Sequence, residues 1–268
     1  PKIRIYAPDG GPQAGPAGSV SVLEIVNDDM PFLVDSVMDE LTARHAQVRL
    51  VVHPVFAVAR DAAGHIEQVA AEEPAGEEVR RESFIHVHID RIQDVATQNT
   101  LIIGIEQVLA DVAVAVQDWR PMLTRVGELI ADMKTNPPPV SEAEQKESVD
   151  FLEWLVAENF TFLGVREYRV AGPDREPVMV PVSGLGVLRH GDTQELKGRA
   201  GQEAILRGLH VFYGEPSALL ITKASTRSRV HRRVFMDIVI VKRFDANGNV
   251  SGELRIVGLF TSTAYTRS

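Results

Sequence analysis

The sequence predicts an α+β fold in two parts, and three observations carry that reading. A strand crowded with Val20, Val22, Leu23, Ile25 and Val26 passes through a short acidic corner into a helix marked by Phe32, Leu33, Val37, Met38 and Leu41. A helical stripe then holds one face from Ile102 to Met133. Three strong strands, at 218–223, 235–244 and 252–260, close the chain.

The corner at 26–37 marks the first change of period. Pro31 suits the first turn of the helix, where a missing N–H leaves nothing unpaired, and Asp28 and Asp29 stand where they can cap free amides at the positive end of the dipole. Residues 7–18, with three Pro and four Gly, form a loop between an opening strand at Ile3 and Ile5 and the strand at 19–26. Residues 47–60 read as one strand covered on both faces, since Val48, Leu50, Val52, Phe56 and Val58 alternate with residues that are also mostly apolar. Asp61 to His65 is a turn, 66–70 a short return strand, 72–78 a solvated acidic loop and 83–89 another strand.

The stripe Ile102, Ile105, Leu109, Val112, Val116, Trp119, Leu123, Val126, Ile130 and Met133 is spaced to keep one face for about nine turns. Pro121 is expected to kink or split it near 117–120, because its ring displaces the carbonyl four residues back. Such a stripe packs on its own sheet or pairs with another subunit. Asn136 and the three prolines after it read as a stiff connector, which places the domain boundary between 136 and 137. Ser141 with Glu144 is a capping box for a helix at 142–158. A strand at 160–170, a short segment at 178–182, a short helix at 202–206 and the three closing strands follow. The last two strands are joined by a hairpin turn at Asn247 and Gly248. The order strand, helix, strand, strand, helix makes the first domain, 1–136, ferredoxin-like. The second, 137–268, is an α+β domain with helices on an antiparallel sheet.

Composition bounds function. At 44% hydrophobic and 24% charged residues the chain is of globular type, and a formal charge of −9 argues against a general nucleic-acid binder. The absence of cysteine removes disulfides, thiolate metal sites and cysteine nucleophiles. No apolar run reaches about 18 residues, the length that would suggest a membrane span, and no secretory signal opens the chain, so no membrane partner is expected. Beginning and ending next to strand-like sequence, the chain reads as a piece of a longer polypeptide.

Four constellations invite chemistry. Asp28, Asp29, Pro31 and Phe32 form a candidate ligand corner, where an amine such as an amino-acid ammonium could meet carboxylates beside free amides. Lys223, Arg227, Arg229, His231, Arg232 and Arg233 gather six potential cations into eleven residues and form a candidate anion site, or a hairpin that pairs with acids elsewhere. His86, His88 and Asp90 share one strand face but have no evident fourth ligand, so no metal site is expected there. The glycines at 184, 186 and 191 are out of register for a dinucleotide loop. No nucleophile or metalloprotease motif occurs, so the residues read as non-catalytic, with no catalytic residue and no cofactor of their own.

Several of these stretches together resemble the N-terminal region of the large bacterial NAD-specific glutamate dehydrogenases. They are 24–37 (Glu-Ile-Val-Asn-Asp-Asp-Met-Pro-Phe-Leu-Val-Asp-Ser-Val), 53–55, 60–64, 81–86, 151–155, 159–168 (Asn-Phe-Thr-Phe-Leu-Gly-Val-Arg-Glu-Tyr), 221–224, 230–232, 236–237 and 258–262. The likeness runs in order from about residue 20 to the end and is loose over 190–217. It implies an ACT-like first domain, a PAS-like second domain and a cytoplasmic parent that interconverts glutamate with 2-oxoglutarate and ammonium using NAD. The catalytic part of that family lies downstream, so the resemblance transfers no catalytic residue here. It implies regulation by a small amino-acid effector, assembly as a homo-oligomer, and a downstream catalytic domain as partner. Family-style ACT corners commonly hold a glycine where this chain has Asp28, Asp29 and Met30. A structural oligomerisation scaffold with no ligand of its own is the alternative.

Overall fold

The computed structural model describes residues 1–8, 20–70, 79–171, 176–189, 208–209 and 211–261. The helix expected at 202–206 and the acidic loop at 72–78 lie outside them. The chain divides into two compact units, Pro1–Ala113 with Arg229–Arg232, and Val114–Ser228 with Arg233–Ser268.

The first unit is an antiparallel sheet of β1 (Lys2–Tyr6), β2 (Val20–Asp28), β3 (Val48–Val52), β4 (Val55–Arg60), β5 (Ile66–Ala70) and β6 (Arg80–Asp90), with helix α1 (Leu33–Ala43) and all but the last turn of α2 (Val95–Gln117). The order is β1-β2-β6-β4-β5, with β3 also on β6. β3 and β4 are one bent strand: Val52 pairs with His86 and Val55 with Ser83 in the same register, and the break falls at Pro54, which has no N–H for the ladder. The single strand expected at 47–60 is thus interrupted. Its first half is exposed throughout, not covered on both faces. The strand after α1 joins β6, and β6 joins β2, as a ferredoxin-like order requires; β1, from the start of the chain, takes the flank of β2 where that fold's last strand belongs.

Pairing of Leu23 with Val87 and Ile25 with Ile85 puts four apolar side chains on one face, each no more than 1% exposed. α1 contributes Leu33, Val37 and Leu41 to the buried set, and α2 contributes Leu101, Ile105 and Val108. Gly104 of α2 lies against the Glu40–Arg44 ion pair of α1; a Cβ there would sit 2.4 Å from Glu40 Oε1. The opposite sheet face carries the half-buried Glu24, Val26, Phe84, His86 and His88.

Although α2 contains Glu106 and Asp111, its 23 residues are long and apolar enough to cross a membrane, the only such helix among the described residues. Its buried face and its mid-helix acids are also those of an amphipathic core helix.

The stripe splits where Pro121 requires. α3 (Trp119–Thr135) starts after Asp118, whose carbonyl accepts from Met122 N–H at 2.8 Å, and Pro121 lies in the first helical turn. Trp119, expected within the stripe, is 48% exposed. Met122, Val126, Leu129, Ile130 and Met133 of α3 share one buried cluster with Val149 and Leu152 of α4 (Glu142–Trp154) and with Phe162, Val239, Leu254 and Ile256 of the second sheet. That shared core puts α3 in the second unit, so the proline connector lies inside that unit and the division falls at Ala113. Ser141 caps α4, its Oγ accepting from Glu144 N–H at 3.2 Å, and a π-helical turn, Leu155–Asn159, leads into the sheet.

The second sheet is antiparallel, in the order β10 (Leu219–Arg227), β11 (Phe235–Phe244), β12 (Val250–Phe260), β7 (Phe160–Ala171), β8 (Glu176–Met179), with β9 (Leu185–Gly186) also on β7. Gly248 takes φ 79° in the β11–β12 hairpin, while Asp245 Oδ1 accepts from Asn247 and Asn249 N–H at 2.9 and 2.8 Å.

Candidate functional site

The corner between β2 and α1 is more constrained than its sequence suggested. Asp28 ends β2 opposite Glu82, and Asp29 donates its N–H to Arg81 O at 2.8 Å while its carboxylate lies 3.6 Å from the Arg81 guanidinium. Neither caps the helix. The N-cap is Phe32, with no side-chain cap and with φ 72°, ψ −1°, and its carbonyl accepts from Ser36 N–H at 3.1 Å. Pro31 stands before the helix in this turn, not within its first turn. A left-handed conformation at a bulky aromatic residue stores strain that neighbouring contacts must hold.

Those contacts come from far along the chain. Within the first unit, residues 229–232 lie over the corner: His231 donates its N–H to Ser36 Oγ at 2.9 Å, its Nδ1 is 3.2 Å from Asp35 Oδ2, and its ring centroid is 4.9 Å from that of Phe32. His231 is itself left-handed, with φ 67°. Arg229 anchors the segment through Asp111 of α2 at 3.1 Å. Burial pushes the Asp111 carboxyl up, and Arg229 only partly offsets this.

The two sequence-predicted sites are thus partly one. Of the six cations, Arg229, His231 and Arg232 belong to the first unit, and Lys223, Arg227 and Arg233 to the second. Lys223 pairs with Asp237 at 2.6 Å; Arg227 donates to Arg233 O at 3.2 Å and stacks 5.0 Å above Phe235; Arg232 and Arg233 have partners too. Acids of this chain therefore hold several of the cations that the anion reading left open. Sequence reasoning missed Asp35, Ser36 and Asp111, because nothing local marks a partner 195 residues away.

On the other sheet face, His86 sits between Glu24, 3.1 Å from Nδ1, and His88, whose Nε2 is 2.9 Å from His86 Nε2. Asp90 turns to Arg49 at 2.5 Å, so the trio does not converge, and no group of three metal-ligating side chains occurs among the described residues. Burial alone would raise the Glu24 carboxyl, but hydrogen bonds from Arg4, Tyr6 and His86 outweigh it and hold it below its ordinary 4.5. A cavity of about 520 Å³ lies here, lined by Lys2, Arg4, Glu24, Val26, Phe84 and His86 among others.

Comparison with known proteins decides the family. Residues 1–104 match the glutamate dehydrogenase ACT1 domain. The whole chain is 33% identical to the NAD-specific glutamate dehydrogenase of Halomonas elongata and 34% identical to that of Pseudomonas aeruginosa, covering 17% and 16% of their lengths. The chain belongs to the N-terminal region of the NAD-specific glutamate dehydrogenase family. The Mycobacterium tuberculosis NAD-specific glutamate dehydrogenase is 26% identical over 93% of the chain. The chain thus spans about a sixth of the length of these glutamate dehydrogenases. Its ACT1 match covers the strands and corner of the first unit.

Proposed function

We propose that this chain is a non-catalytic regulatory region of an NAD-specific glutamate dehydrogenase, which senses a small amino-acid effector at the β2–α1 corner. The parent reaction converts L-glutamate, NAD and water to 2-oxoglutarate, ammonium and NADH in the cytoplasm. NAD binds to a downstream catalytic domain of the same polypeptide, and the parent is a homo-oligomer. The observation that carries the sensing role is the corner: Phe32 and His231, two non-glycine residues in left-handed backbone, pack ring against ring at a tilt beside Asp29 and Asp35. Strain of this kind collects at ligand clamps and switches, and a ligand that binds unequally to clasped and unclasped states shifts their balance. A PAS-like description of the second unit is supported by the order β8-β7-β12-β11-β10 within its six-stranded antiparallel sheet, in which the first strand neighbours the last.

The test is the thermal unfolding of the 268-residue chain with a panel of amino acids at millimolar concentration, because binding to the native state raises the midpoint. An upward shift with one amino acid, abolished by Asp29→Ala and by Phe32→Gly, supports the sensor. No shift with any amino acid overturns it and favours the scaffold reading. That alternative is tested at Ile103, which is 53% exposed on α2; Leu109, at 2%, is a core position where a charge would unfold the unit. Ile103→Glu would lower the sedimenting mass if α2 joins subunits.

A further inference from the structure

One face of the second unit's sheet gathers three buried cations around one buried carboxylate. On that face, Arg166 of β7 stands directly opposite Arg255 of β12, and Lys242 of β11 opposite Glu253 of β12. All four are nine-tenths or more buried, at 5%, 7%, 3% and 0% exposure. Glu253 is the one carboxylate among these four, and it is engaged twice: Arg255 Nε donates to its Oε1, and Tyr213 OH to its Oε2 at 2.6 Å. Lys242 donates to Glu215 O at 2.8 Å and sits 4.3 Å above the Phe212 ring.

The guanidinium groups keep unused donors. Arg166 spends Nη2 on Arg189 O at 3.0 Å and Nη1 on Met179 Sδ, yet its Nε has no partner among the described residues. Arg255 lies with Cζ 4.0 Å over the Tyr168 ring, and its Nη2 has no partner among the described residues. Like charges directly opposite across strands destabilise a sheet, and a buried donor left unbonded forfeits its hydration without replacement. Two such costs in adjacent side chains, in a sheet whose other face is a well-packed apolar core, mark a place built for an anion.

We propose that the Arg166–Arg255 pair binds the carboxylate of a small organic acid. Arg166 offers its Nε–H and Arg255 the N–H groups of Nη2, and a carboxylate has two oxygens able to accept one bond each, so a single carboxylate meets both buried donor atoms and neutralises one of the two facing guanidinium charges. Glu253 and Tyr213 fix Arg255 from the far side, and Tyr168 supplies an aromatic wall. Gly184 admits the Arg166 guanidinium, since a Cβ there would meet Nη2 at 2.3 Å. This site lies in the second unit, apart from the corner of the first, and does not depend on the sensing role proposed there.

The test is a binding titration of the 268-residue chain with acetate, glutarate and 2-oxoglutarate, and with inorganic phosphate, at constant ionic strength, followed by unfolding midpoint and calorimetry. A carboxylate is expected to raise the midpoint, and Arg166→Gln to weaken its binding at least tenfold. Without ligand, Arg166→Gln is expected to melt no lower than wild type, because it removes one of two facing charges without breaking an ion pair. Arg166→Lys, which keeps the charge and loses the planar fork, is expected to bind several-fold more weakly and serves if the glutamine variant does not fold. Saturable binding of none of the carboxylates, or binding unchanged in these variants, overturns the proposal. Binding of phosphate alone overturns the carboxylate assignment.

Discussion

Removing Arg60 isolates a buried carboxylate and so tests the first unit's energetics directly. Glu82 is 4% exposed, at the β4–β6 pairing, and Arg60 clamps it with two parallel bonds, Nε to Oε1 at 2.6 Å and Nη2 to Oε2 at 2.7 Å. Arg60→Met deletes both and leaves a buried carboxylate without its bidentate partner. Losing one partner of a buried pair costs about 3–5 kcal/mol; because the Arg60 side chain is 21% exposed, about 2–3 kcal/mol is expected. For a unit of this size that lowers the melting midpoint by roughly 8–12 °C. Replacing both residues, Arg60→Met with Glu82→Met, removes the stranded charge and should recover most of the loss. The pH dependence follows from linkage. The Arg60 hydrogen bonds hold the Glu82 carboxyl below its ordinary 4.5 against the effect of burial, so the pair's contribution is complete above that pH and is lost as pH falls through the lower folded value. In Arg60→Met burial, which raises the same carboxyl, is opposed only by the smaller effects of Lys2 and Arg80, so the deficit of the variant should shrink as pH is lowered toward 4. Melting by circular dichroism at pH 7 and pH 4 reads both effects. A single variant no less stable than the double variant at pH 7 would refute the reasoning.

Other outcomes follow from single positions. Gly186→Ala should abolish folding of the second unit, measured as lost protease resistance, because φ is +60° and the new Cβ would meet Leu163 O at 2.1 Å. Ser141→Ala removes the cap of α4 and should cost about 1 kcal/mol in a denaturant titration, with Ser141→Asp nearly neutral. Arg229→Ala leaves Asp111 half-buried without its cation; hydrogen exchange should then rise at residues 32–36, with little change in β11 and β12.

Local chemistry was legible where the physics is local. The strand-to-helix change at the corner, the split of the long stripe at Pro121, the Ser141 cap and the Gly248 turn each rest on residues within one turn of one another. The break at Pro54 was equally local, yet it was masked by the apolar alternation on both sides of it. The compact units divide at Ala113 and not at the prolines for a different reason. Three prolines after Asn136 describe a stiff segment, but unit membership is set by which core a helix buries, and α3 buries Met122, Val126 and Leu129 with α4 and the second sheet.

The sequence by itself determined the α+β class, the strand-rich end, the want of any catalytic motif and, through its resemblance, the family. These depend on periodicity, on backbone limits at proline and glycine, and on strings of residues specific enough to recognise. Only the tertiary structure decided that His231 closes over Phe32 and that Arg166 faces Arg255. The sequence separations there are 199 and 89 residues, and hydrogen bonds and charges act only over a few ångströms. Which polar groups meet, and which remain buried without a partner, is therefore a property of the folded chain.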